Sequence, residues 1–155
     1  MAKLTPFRAL RPTPLGAPLV SSVPYDVVNT EEARALAGEN PLSFLHVTRS
    51  EIDLPAGTDP HSDAVYALAR TNLEALRRAA PLEAEAEPAL YLYRLRMGDH
   101  VQTGVAGTWS VEEYEDDRIK KHEKTRRDKE DDRTHHICEL RAQTAAELAE
   151  AYRWL

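Results

Sequence analysis

The chain has 155 residues, of which 30% are charged and 6% are aromatic, and its formal net charge is −6. This length suits one domain with a largely aliphatic core, and the negative charge argues against general binding to nucleic acid, which needs a basic surface. The single cysteine fits a reducing cytosol, and the N-terminus does not resemble a signal peptide. No apolar window reaches the roughly 20 residues that cross a bilayer. The sequence therefore predicts a cytoplasmic protein without membrane segments.

Short elements are predicted in the first third of the chain. Five prolines between residues 5 and 24 predict an irregular arm with short strand pieces. Thr30 is the expected N-cap of a short helix that stops at Gly38. The segment from Ser43 to Arg49 is rich in β-branched and aromatic side chains, which favours a buried strand.

The middle of the chain carries the clearest periodic signals. Apolar side chains at helical spacing predict an amphipathic helix from Asp63 to Ala79. A β-hairpin is predicted over about 89–109, with its turn at Met97–His100 and a bulge or close backbone approach at Gly104 and Gly107. The predicted fold class is therefore α+β, or mixed α/β, with a small sheet that contains this hairpin and is packed by the helix at about 63–79.

A dense run of charge follows the hairpin. From Glu112 to Arg133 there are ten acids and eight bases among 22 residues, and charge of this density is too costly to bury unpaired. Residues 112–136 are expected to form a charged loop or helix, with a helix reaching Ile119 at most and a mobile loop beyond it. Cys138 is expected to be a small buried hydrophobe, and helical periodicity returns over 144–155.

The charged run also contains candidate functional residues. His122 stands next to Glu123, a pair that can perform general acid–base chemistry. Basic side chains that can hold phosphate oxygens follow closely: Arg126, Arg127, Lys129 and Arg133. The alternative is a solvated charged loop whose charges largely cancel, and residue types alone favour that alternative.

Two weaker candidate sites are also present, one overlapping the end of the charged run and one near the N-terminus. Asp131 and His135, like Asp132 and His136, are four residues apart and would share a helix face as metal ligands, in a metal-dependent hydrolase. Adjacent histidines on a helix diverge by ~100°, so structural or merely surface histidines are the favoured interpretation. Near the N-terminus, Tyr25-Asp26 could face a ligand, although Asp in a turn usually bonds its own backbone.

Several segments together resemble one prokaryotic family, the domain-of-unknown-function family numbered 1015. The resemblance covers about Leu4 to Ala142 and depends on the order and spacing of the segments more than on any single motif. The matching segments are 23–28 (VPYDVV), 40–47 (NPLSFLHV), 88–93 (PALYLY), 122–125 (HEKT), 129–133 (KEDDR) and 141–142 (RA).

The resemblance implies a longer architecture, because members of the family typically have more than twice this length. The chain would then be a single domain, 1–155, at the N-terminal end of that architecture. The second half of the members carries an Asp-Gly-His-His-Arg element, absent here, that is similar to the phosphate-binding box of ParB-like and sulfiredoxin-like nucleotide-using proteins. By analogy, this implies a small-molecule kinase or another nucleotide-dependent phosphoryl-transfer enzyme, which would be incomplete in this chain without that element.

Under that implication the expected cofactor is ATP or ADP with Mg²⁺. His122 and Glu123 would be catalytic, the four basic residues of the charged run would bind phosphate, and Asp131 would help to hold the metal ion. The competing hypothesis is a non-catalytic module that binds a partner or a small ligand, with the charged run becoming ordered on contact.

Overall fold

The computed structural model describes residues 2–120 and 126–144. Within them, contacts define two compact units, of which unit 1 comprises 2–11 and 84–120 and unit 2 comprises 12–83 and 126–144. The strands are β1 (Leu4–Thr5), β2 (Leu10–Pro12), β3 (Leu82–Ala84), β4 (Tyr91–Met97), β5 (His100–Ala106) and β6 (Thr108–Trp109). The helices are α1 (Ala17–Val20), α2 (Thr30–Ala37), α3 (Leu45–Thr48), α4 (Asp63–Ala79), α5 (Val111–Glu115) and α6 (Arg127–Leu140). The predicted α+β class is confirmed, and the extent of the domain stays a prediction.

Unit 1 is built on the predicted hairpin. β4 and β5 pair antiparallel in an unbroken register from Tyr91 opposite Ala106 to Met97 opposite His100. Gly98 makes the turn with φ +60°, a conformation that glycine adopts without strain. β1 pairs antiparallel with β6, so the start of the chain is tied to the segment that follows the hairpin.

The two glycines of the returning strand have different surroundings. Gly107 lies against the side chains of Leu4 and Leu90, and a Cβ there would overlap both of them. The close backbone approach is therefore confirmed at Gly107. Gly104 pairs regularly with Tyr93, so the predicted bulge is wrong at that position.

Unit 2 is organised around α4, whose bounds agree with the prediction. Its apolar stripe packs against α3 and α6, and this core includes Val47, Ala69, Leu73, Leu76 and Leu140. Helical spacing of the apolar residues thus identified both the helix and its buried face.

The short helix α2 begins one residue earlier than expected. Asn29, rather than Thr30, is the N-cap, because its Oδ1 accepts from the Glu32 backbone N–H while Glu32 Oε2 accepts from the Asn29 N–H, both at 2.9 Å. This reciprocal pair is a capping box. The helix ends before Gly38, as predicted, where φ is +53°.

Three further predictions of local structure are wrong. The segment Ser43–Arg49 contains helix α3 instead of a strand, since a short apolar run does not by itself distinguish a buried strand from a buried helical turn. Residues 127–133 belong to α6 and are not a loop, because this helix turns polar side chains toward α4. Cys138 is exposed, as it lies on the opposite side of α6 from the buried His136 and Leu140. The helix predicted over 144–155 lies, except for its first residue, outside the described residues.

Candidate functional site

A small cavity of about 70 Å³ lies within unit 2. Four segments far apart in sequence line it: the 3-10 turn Tyr25–Val27, the end of α3 with the 3-10 turn after it, the loop before α4 with the first half of α4, and α6. A volume of this size holds a group comparable to a phosphate or a carboxylate, since one water occupies about 30 Å³ in the liquid. It is too small for a whole nucleotide, because pockets for ligands of that size span about 300 Å³ or more.

Two nearly buried guanidinium groups face this cavity. Arg133 Nε donates to Asp132 Oδ2 at 3.2 Å, and its guanidinium carbon lies 4.3 Å from the centre of the Tyr25 ring. Arg49 comes from the other wall, and its Nε is 2.9 Å from Glu51 Oε1 without the alignment of a hydrogen bond. A guanidinium that is packed on a ring and paired on one edge is held in a fixed orientation.

The lining carries a small excess of positive charge. Lys129, which is exposed, joins Arg49 and Arg133, while Glu51 and Asp132 supply the two carboxylates. With neutral histidines, three cations against two anions leave a net charge of +1 around a space that fits one oxyanion group. The cavity is therefore suited to an anion rather than to a cation.

Asp132 is the centre of a hydrogen-bond network at the cavity. Its Oδ1 accepts from the Tyr66 hydroxyl at 2.6 Å and lies 2.9 Å from His61 Nδ1. Burial raises the pKa of Asp132, but the hydrogen bonds from Tyr66 and His61 and the charge of Arg133 outweigh burial and hold that pKa below its ordinary value. Burial and the bond to Asp132 raise the pKa of Tyr66, so its hydroxyl keeps its proton and donates it.

His136 has a structural role in the same cavity. It is 3% exposed, and its Nε2 donates to the Val47 carbonyl at 3.1 Å, which ties α6 to α3. Burial and the nearby charge of Arg133 lower the pKa of His136. This imidazole is therefore neutral at neutral pH and does not add to the charge of the cavity.

A second cavity in unit 2, of about 320 Å³, is lined by a different histidine. His46 Nδ1 lies 2.9 Å from Asp53 Oδ1, and its Nε2 lies 3.2 Å from the Asn40 carbonyl. Asn72 donates to Asp53 Oδ2 at 3.0 Å and completes the network. Because both ring nitrogens of His46 already have partners, this cluster holds α4 to the preceding turn and leaves no ring atom for a ligand.

The residues predicted from the charged run separate into two sets. Lys129 and Arg133 line the first cavity. Arg126 is exposed and pairs with Asp128 at 2.6 Å, and Arg127 is exposed as well; neither lines the cavity. His122 and Glu123 lie outside the described residues, so their catalytic roles stay predictions.

The other predicted positions are also divided. Tyr25 lines the cavity, whereas Asp26 and Asp131 are exposed and do not. His135 stacks on Tyr66, with ring centres 4.1 Å apart. Within 2–120 and 126–144, no three His, Cys, Asp or Glu side chains are arranged to hold a metal ion.

Four titratable residues of the cavity are absent from the sequence-based set: Arg49, Glu51, His61 and Tyr66. His61 and Asp132 are 71 positions apart, and Tyr66 and Asp132 are 66 apart. Spacing rules operate within one helix or strand, so no local signal joins these residues.

Within the described ranges, no helix is both long and apolar enough to cross a membrane. Comparison with known proteins gives a family and no individual relative: no curated protein and no solved structure matches the chain. Residues 4–147 match the model of a family described as "Protein of unknown function (DUF1015)", a match over most of the chain. The chain therefore belongs to this family.

Proposed function

We propose that the cavity of unit 2 binds the phosphate group of a small molecule or nucleotide, and that the chain takes part in kinase-like phosphoryl transfer. The observation that carries this proposal is the set of cations around a phosphate-sized space: Arg49, Lys129 and Arg133. Phosphoryl transfer needs mainly positioning and positive charge from the protein. The cavity offers both.

The size of the cavity limits what lies inside it. About 70 Å³ accommodates one phosphoryl group, so the rest of a nucleotide or of an acceptor would extend beyond the cavity. Mg²⁺, where it is required, would arrive with the nucleotide phosphates that it bridges. Asp131 is exposed on the neighbouring surface of α6 and stays the predicted carboxylate for that ion.

The test is ligand-induced stabilisation followed by transfer. A ligand that binds only the folded state stabilises it by about 2.7 kcal/mol at 100 times its dissociation constant. We therefore expect ATP or ADP with Mg²⁺, and inorganic phosphate alone, to raise the melting temperature. Phosphorus NMR of the same sample, supplied with a mixture of hydroxyl-bearing amino acids and polyols, should show a new phosphate ester.

A matched pair of variants locates the site. Lys129→Gln removes an exposed cation that lines the cavity, and Arg127→Gln removes an exposed cation two residues away that does not. Lys129→Gln should reduce the stabilisation by phosphate, and Arg127→Gln should leave it unchanged. Equal losses would place the anion at the start of α6 instead of in the cavity, and no stabilisation of the wild type would contradict the proposal.

A second candidate function, a non-catalytic interaction module, is favoured by the hairpin of unit 1. Leu92 is 75% exposed and Met97 is 81% exposed, and a two-stranded hairpin with apolar side chains open to water is marginally stable alone. An interaction module should show no effect of nucleotide on its melting temperature. The hairpin should instead become resistant to protease when a protein partner is added.

A further inference from the structure

His61, at the edge of the cavity, is held in place by hydrogen bonds of both its backbone and its ring. The His61 backbone N–H donates to Asp59 Oδ1 at 2.9 Å, which fixes the loop before α4. Its ring Nδ1 lies 2.9 Å from Asp132 Oδ1 on α6. The side chain is still 54% exposed, so the ring is positioned by the protein and accessible from solvent.

The hydrogen bond to Asp132 selects one tautomer of the neutral ring. An ionised carboxylate only accepts hydrogen bonds, and Tyr66 and Arg133 keep Asp132 ionised. The proton of the neutral imidazole must therefore lie on Nδ1, which leaves the lone pair on Nε2. Among the described residues, Nε2 of His61 has no hydrogen-bond partner.

The carboxylate that orients His61 is itself fixed. The Asp132 side chain is 11% exposed and receives the Tyr66 hydroxyl at 2.6 Å and Arg133 Nε at 3.2 Å. An orienting carboxylate and a cavity-lining histidine with a free Nε2 are the parts of a general base. The other histidines of unit 2 lack this combination: both ring nitrogens of His46 have partners, His136 is buried, and His135 does not line the cavity.

From this geometry we infer that His61 is the proton acceptor of the cavity and that Asp132 is its positioning residue. The inference rests on the proposed phosphoryl transfer and names the group that activates the acceptor. An alcohol oxygen of the acceptor attacks the terminal phosphorus of a nucleoside triphosphate or diphosphate. The new P–O bond forms as the bond to the leaving nucleotide breaks, the leaving phosphate takes the electron pair, and the alcohol proton passes to Nε2 of His61 and then to water.

The tautomer is the first readout, because it requires no substrate. Long-range proton–nitrogen NMR of the wild type, with the His61 signals identified by their loss in His61→Gln, reports which ring nitrogen carries the proton. We expect Nδ1–H in the neutral ring, the reverse of the usual preference of free histidine. A neutral ring protonated on Nε2 would overturn the inference.

The second readout separates this inference from the proposed function. In His61→Gln we expect the stabilisation by phosphate and nucleotide to persist and kcat of the transfer to fall by about 10²- to 10⁴-fold, with little change in KM. His100→Gln, a change of an exposed histidine in unit 1, is the control and should keep the wild-type rate.

Each failure has a distinct meaning. Transfer at the wild-type rate in His61→Gln would overturn the inference and leave the proposed function standing. Loss of phosphate binding in His61→Gln would also overturn it, since a proton acceptor is not needed to hold the ligand. Binding without any transfer in the wild type would overturn the proposed function and the role of His61 together.

Discussion

At the scale of single residues, unit 2 places polar side chains where a core would usually be apolar. Glu51 is 4% exposed and His136 is 3% exposed, and each has partners: Thr30 donates to Glu51 at 3.2 Å, and the Val47 carbonyl accepts from His136. Burial of a polar group is tolerated when its hydrogen bonds are made. The contribution of these polar groups to the stability of the fold can be measured.

His136 makes the stability of the fold depend on pH. Its pKa in the folded chain is below the ordinary 6.5, so the unfolded chain binds more protons as the solution becomes acidic. The stabilising contribution is complete above pH 6.5 and is lost as the pH falls below it. Melting temperatures measured from pH 7.5 to 5 should decline, and His136→Gln, which keeps a donor for Val47 but does not titrate, should decline less. Equal slopes would contradict this prediction.

The hydroxyl of Tyr66 stabilises an ionised carboxylate. Tyr66→Phe removes the 2.6 Å hydrogen bond to Asp132. The Asp132 carboxylate then keeps His61 and Arg133 as partners. A hydrogen bond to a charged group is worth about 1.5 to 3 kcal/mol, so the free energy of unfolding in urea at pH 7 should fall by about that amount. A double-mutant cycle with Asp132→Ala, which removes the acceptor, is the check, and additive effects of the two changes would show that the bond contributes nothing.

At the scale of elements, α6 shows why a charged sequence can form a helix that packs. It has two buried residues, His136 and Leu140, and it also makes polar contacts with α4. Arg70 on α4 pairs with Glu139 at 2.9 Å, and Tyr66 on α4 bonds Asp132. An ion pair and a hydrogen bond between the two helices thus add to the packing of Leu140, and Asp132 and Arg133 of the same helix line the cavity.

The capping box of α2 is an element-scale feature that can be tested by substitution. Asn29→Ala removes the acceptor for the Glu32 N–H, and loss of such a cap costs about 1 kcal/mol. We expect a lower melting temperature for Asn29→Ala, while Asn29→Asp, which keeps the acceptor oxygen, should retain most of the stability. An unchanged melting temperature in Asn29→Ala would mean that contacts of α2 with its neighbours fix its start without the cap.

The sequence predicted the elements whose signal is local. α4 shows its apolar residues at helical spacing, and the hairpin shows two strands around a short turn with Gly98. α3 was misassigned because Phe44, Val47 and Thr48 favour a strand locally, whereas burial of Leu45 and Val47 against neighbouring helices favours a helical turn. Tertiary packing decided that segment.

The site was predictable only in part, for the same reason. Lys129 and Arg133 were found since they lie in one run of charge, but Arg49 and His61 come from other segments of the chain. The position of His61 depends on Asp132, which lies 71 positions away in the sequence and also accepts a hydrogen bond from Arg133. A hydrogen-bond network whose members come from distant segments of the chain leaves no spacing pattern in the sequence.

At the scale of the whole molecule, the two units differ in how they are stabilised. Unit 2 has an aliphatic core in which Val47 and Ala69 are each 1% exposed, whereas the hairpin of unit 1 leaves Leu92 and Met97 largely in water. Local opening is easiest where few apolar contacts cover the backbone hydrogen bonds. The hairpin should therefore open more readily than α4 and α6.

Deuterium exchange followed by mass spectrometry tests this difference in stability. Peptides from β4 and β5 should exchange faster than peptides from α4 and α6. Leu73→Ala removes buried core volume at a cost of about 2 to 5 kcal/mol, so it should accelerate exchange in α4 and α6 and leave the hairpin unchanged. Leu36→Ala, at a leucine of α2 that is 58% exposed, is the matched control and should alter neither unit. If Leu73→Ala accelerates exchange equally in both units, they unfold together as one cooperative structure.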